Sequence, residues 1–80
     1  MATKKQTASD AYVQHRKDII SLMLWLELEL EKHRINAKGQ PDNWCFPGDL
    51  QLTRNQLIEA LASISHSEQH EIQALLSESR

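Results

Sequence analysis

The sequence predicts an all-α fold: one long N-terminal helix, a loop, and a C-terminal αα-hairpin. Three observations point there. Helix formers are common, while glycine and proline occur only twice each among 80 residues. No Gly or Pro interrupts Ala11 to Ala37. Apolar residues in the last third recur at helical spacing behind capping residues. At this length one domain is the ceiling, and its stability margin is thin because little surface is buried.

The first eight residues are polar and small and read as a disordered tail, leaving 9–80 as a single helical domain. Ser9 suits an N-cap, with Asp10 placed where the helix dipole favours an anion. Gly39 stands where a helix C-terminus places glycine, with Lys38 before it and Pro41 after it. Helix one is therefore expected over about 10–38, a rod of roughly 40 Å. The alternation of Leu24, Leu26, Leu28 and Leu30 with Trp25, Glu27, Glu29 and Glu31 would suit a strand. Leu and Glu are weak strand formers and no turn bounds the run, so helix is the better reading.

In the loop, Phe46-Pro47-Gly48-Asp49 suits a type II turn, with Gly48 supplying the positive φ. Trp44 and Phe46 are expected to fold back onto the helices as apolar plugs. Helix two is expected over about 54–64, capped by a Thr53/Gln56 box with Leu52 and Leu57 as a hydrophobic staple. Helix three is expected over about 66–77, opened by Ser65 with Glu68, or by Ser67. Ile58-Glu59-Ala60-Leu61 is echoed fourteen residues later by Ile72-Gln73-Ala74-Leu75, so the two short helices carry like stripes and form a hairpin.

Helix one is apolar on two sides. At 100° per residue, one face holds Tyr12, Ile19, Leu22, Met23, Leu26 and Leu30. A second, roughly 140° away, holds Val13, Ile20, Leu24, Leu28 and Ile35, with Trp25 beyond it. Met23, Leu26, Leu30, Leu57, Leu61, Ile72 and Leu75 are expected to form the intrachain core. Ile20, Leu24, Trp25, Leu28 and Ile35 are then left for an interface, because two short helices cannot hide both faces of a longer rod; the alternative is a monomer in which the Trp44 and Phe46 loop covers the second face. Symmetric dimers are the commonest soluble oligomers, so a homodimer, or else a helical partner protein, is the expected arrangement. Glu29 with Lys32 and His33, and Glu31 with Arg34, are surface pairs worth a few tenths of a kcal/mol each.

Groups that could carry chemistry are few. His66 and His70 stand four apart and could share a helix face, with Glu71 nearby. HSEQH lacks a third ligand and is not HExxH, so no metal site is expected. Cys45 between Trp44 and Phe46 reads as a small buried hydrophobe, and no His and orienting group form a nucleophile pattern with it. His15 and His33 share an angle at the margin of the first face but lie about 27 Å apart along the axis. An antiparallel dimer could bring His15 of one chain near His33 of the other as a pH-sensitive contact. No catalytic, cofactor-binding or small-molecule site emerges.

The net charge is −2, and the halves differ. Residues 1–38 carry seven Lys/Arg against five Asp/Glu, while 39–80 carry two against six. The hairpin could be a helix-turn-helix, but its third helix opens on Glu68, Gln69, His70, Glu71 and Gln73, the wrong sign for phosphate. A nucleic-acid-associated protein using that hairpin, or the basic start of helix one at Lys4, Lys5, Arg16 and Lys17, is the second functional reading. The first is a non-enzymatic protein–protein interaction module, a small regulator or assembly subunit. One cysteine excludes an internal disulfide, and Lys4 and Lys5 lead into polar residues and not an apolar run, so a cytoplasmic setting is expected. Ile19–Leu30 is too short and too charged to cross a bilayer.

Overall fold

The computed structural model describes residues 5–80, and within them the chain forms three α-helices and no strand. The all-α expectation holds. The chain divides into two compact units, one ending at Pro41 and the other Asp42–Arg80. Of the tail, residues 1–4 lie outside the described residues; Ala8 already belongs to the first helix.

The first unit is one helix, α1, Ala8–Lys38. Its 31 residues make a rod of about 46 Å. It starts two residues earlier than expected because Thr7, not Ser9, is the cap. The Asp10 N–H donates to Thr7 Oγ1 at 3.1 Å, and the Thr7 N–H donates to Asp10 Oδ2 at 3.3 Å. Two orphan donors are thereby satisfied by one reciprocal box. Ser9 could not build it, since the residue three beyond it is Tyr12.

At the other end Gly39 is in the right-handed region, φ −77° and ψ −12°, so its freedom to turn left-handed goes unused. The Gly39 and Gln40 N–H groups bond back to Asn36 and Ala37 carbonyls, and the helix ends by tightening. Pro41 then bars continuation, because the residue before a proline is pushed out of the α region.

The second unit holds α2, Cys45–Ser65, and α3, Gln69–Glu78. α2 begins nine residues before the expected 54, and the reason is local chemistry. Pro47 falls in its first turn, where a helix makes no use of the missing N–H. Gly48 has no positive φ, and its N–H donates to the Trp44 carbonyl at 3.2 Å. No type II turn exists there. Asn43 takes over capping from outside the helix: its Oδ1 accepts the Cys45 N–H at 3.0 Å. Thr53 therefore lies inside α2 and caps nothing; its hydroxyl donates to the Asp49 carbonyl.

Ser65 likewise ends α2, donating through Oγ to the Leu61 carbonyl at 2.7 Å, and does not open α3. His66 turns the chain in the left-handed region, φ 58° and ψ 29°. The N–H groups of His66 and Ser67 both reach Ala62 O, closing the helix end as a left-handed cap does. Glu68 flanks α3 in extended geometry without a side-chain cap. The expected 66–77 becomes Gln69–Glu78, because the turn itself consumes three residues.

α2 and α3 pack together as the hairpin requires. Their shared core is Ile58 and Ile72, 4% and 7% exposed, the equivalent positions of the fourteen-residue echo. The larger core expected from the sequence does not form. Met23, Leu30, Leu57, Leu61 and Leu75 are exposed and Leu26 is half-buried. In the second unit burial is confined to the contact between a long helix and one of three turns; in the first, a lone helix has no second element to bury against.

Candidate interaction face on helix one

No residue of α1 is buried. The five residues assigned to an interface, Ile20, Leu24, Trp25, Leu28 and Ile35, are 43–62% exposed. The residues of α1 that are half-buried are Ala11, Leu26, His33 and Ala37. At 100° per residue these four fall on the first face or its edge, and none on the second. Both faces are nonetheless open: Tyr12, Ile19, Leu22, Met23 and Leu30 of the first are exposed, as are the residues of the second.

Three of the five residues border one feature. Trp25, Leu28 and Ile35, with Glu29, Glu31 and Lys32, line an open groove of about 320 Å³ along α1. Its walls are an aromatic ring, two aliphatic side chains and a charged rim. Ile20 and Leu24 continue the same face toward the N-terminus.

The rim is organised by ion pairs within the helix. Arg34 Nη2 donates to Glu31 Oε1 at 2.6 Å, and Arg34 Nε reaches Oε2 at 3.1 Å. Lys32 Nζ lies 3.2 Å from Glu29 Oε1. Hydrogen bonding to the Arg34 guanidinium, then its charge, holds the Glu31 carboxyl below its ordinary range, and Arg34 is raised in turn. Glu31 is therefore a fixed negative charge on the rim at neutral pH. Further toward the N-terminus, Gln14 Nε2 donates to Asp18 Oδ1 at 3.0 Å.

The other candidates are not assembled into sites. His66 occupies the left-handed turn and His70 the first turn of α3, so they share no helix face. Among the described residues no group of three or more His, Cys, Asp or Glu is placed to hold a metal. Cys45 is an exposed free thiol and Trp44 is 85% exposed, so neither acts as a buried plug; Phe46 is half-buried. In the basic cluster, Lys4 lies outside the described residues. No helix among the described residues is long and apolar enough to cross a membrane.

One surface was missed from the sequence. Leu50, Leu57, Leu61 and Ile64 fall within about 60° of one another around α2, and all four are exposed. Their spacing of seven, four and three carries the signal, but a helix expected only from about 54 leaves Leu50 outside the stripe. No family model, curated protein or solved structure matches the chain.

Proposed function

We propose that this protein is a non-enzymatic interaction module, a small regulator or assembly subunit, that pairs with a second copy of itself through the second face of α1. The observation that carries the reading is the unburied apolar run Ile20, Leu24, Trp25, Leu28 and Ile35 on a helix with no buried residue. Exposed apolar patches larger than a few hundred Å² mark interaction sites on soluble proteins. Two rods of about 46 Å paired along their length can bury surface approaching the roughly 1,200–2,000 Å² of a stable interface. A self-complementary face is what a two-fold dimer needs. The aromatic ring of Trp25 beside aliphatic neighbours also has the composition of interface cores. A reducing, cytoplasmic setting fits the lone exposed thiol of Cys45.

Light scattering on a sizing column tests this directly. The 9.2 kDa chain is expected to elute with about twice its mass at micromolar concentration. Leu24→Glu, which buries two carboxylates at the centre of the pair, is expected to yield a monomer that keeps its helical signal. A wild-type chain that stays monomeric at high concentration overturns the reading. Outright unfolding of Leu24→Glu would place Leu24 in an intrachain core instead.

A further inference from the structure

We infer that the second copy lies antiparallel to the first, with Leu24 on the two-fold axis; the inference rests on the self-association proposed above. Its basis is a palindrome in the second face of α1. Counting outward from Leu24, the residues four away on either side are Ile20 and Leu28, both apolar. Seven away stand Lys17 and Glu31, of opposite sign. Eleven away stand Val13 and Ile35, apolar again. Fourteen away, at the two ends of the helix, stand Asp10 and Lys38, opposite in sign once more.

These positions step by three and four, so all stay within about 40° of the centre line of the face. In an antiparallel pair about Leu24, the residue n places before it meets the residue n places after it on the other chain. Every apolar layer then meets an apolar layer. Every charged layer meets its opposite, twice over, because the axis repeats each contact. A parallel, in-register pair would match the apolar layers equally well. It would set Lys17 against Lys17 and Glu31 against Glu31, and like charges facing one another oppose association. The charges, not the leucines, choose the orientation.

The groove fits this arrangement. Between Leu28 and Ile35 the second copy presents the stretch from Val13 to Ile20, with Lys17 at its middle. A lysine can lay its methylene stem along Leu28 and Ile35 and bring its ammonium to the Glu31 rim. The Glu31 side chain keeps 57% of its surface exposed despite its bond to Arg34, and a carboxylate has lone pairs for both cations. Ile20, Leu24, Leu28 and Ile35 are all exposed and open to a second copy. His15 and His33 fall on the far side of α1 in this pairing and do not meet.

A nitroxide label at Gln14→Cys in full-length Cys45→Ser protein reads the orientation by dipolar spectroscopy. Gln14 is ten residues from Leu24, so antiparallel copies hold the labels at about 30–40 Å. Parallel copies hold them within roughly 20 Å, given interaxial distances of 8–10 Å. The longer distance is expected. The shorter one, in a protein that scatters as a dimer, overturns the orientation but leaves self-association standing. A monomer by light scattering with no dipolar modulation overturns both. Charge reversal supplies a second arm: Lys17→Glu should weaken the dimer about tenfold, and Lys17→Glu with Glu31→Lys in one chain should restore it. If Lys17→Glu leaves association unchanged while helicity is retained, the assigned pairing is wrong.

Discussion

Arg34 grips Glu31 from the next turn of α1, and that grip sets a proton-linked contribution with a definite sign. The carboxyl of the folded helix titrates below its unfolded value. Its contribution to helix stability is thus complete above the unfolded value and is lost as pH falls through the lowered folded one. More than half of the Glu31 side chain is exposed, so the contribution is screened by water and salt. Resolved by NMR, the Glu31 titration midpoint is expected below the ordinary glutamate value of about 4.3, and Arg34→Ala should return it there. A midpoint indifferent to Arg34→Ala would deny the pair in solution. This contact was legible in the sequence, because an i, i+3 spacing on a helix brings the two side chains together whatever surrounds them. The Thr7 cap was equally legible from its box partner Asp10, but Ser9 competes on residue type alone. His66 in a left-handed turn was not legible: asparagine or glycine is the usual occupant, and nothing in the local sequence names histidine for it.

At the scale of elements, Pro47 and Gly48 decided where α2 begins, and they did so against expectation. The same dipeptide that punctuates a loop also fits a first helical turn, since neither residue is penalised heavily there. Which reading wins depends on whether a capping acceptor precedes it, and Asn43 supplies one. The extra turns lengthen α2 to 21 residues against the 10 of α3, so only the crossing region can exclude water. Ile58 and Ile72 mark that crossing. The echo of fourteen residues foretold that these two positions are equivalent; it could not say that the neighbouring leucines stay wet. Ile58→Ala or Ile72→Ala is expected to destabilise the hairpin by about 2–4 kcal/mol. Leu75→Ala, at a residue 65% exposed, should cost under about 1 kcal/mol. Denaturant midpoints followed by helical circular dichroism give the comparison, and equal losses at all three positions would move the hairpin core away from the two isoleucines.

For the molecule as a whole, the all-α class followed from the scarcity of helix breakers and is what the chain adopts. Burial did not follow from pattern, because an apolar stripe states that a helix needs cover without naming what provides it. The first unit is a single rod with nothing buried, and the second buries two isoleucines. Stability of such a chain is expected to depend on assembly. The thermal midpoint should therefore rise by several degrees for each tenfold increase in protein concentration, as mass action on a dimer requires. A midpoint independent of concentration would assign the stability to the isolated chain. Read with the label distances, the same measurement separates the strength of pairing from its direction.

A rod that fully buries none of its side chains is held by its backbone, one cap and a few surface pairs. Such helices unravel and re-form on the order of a microsecond. Each excursion extends Met23–Leu30, and extended backbone is what a protease needs in order to cut. Under the pairing proposed above, a solitary copy is expected to be cut faster than a paired one, which limited proteolysis at rising protein concentration would show.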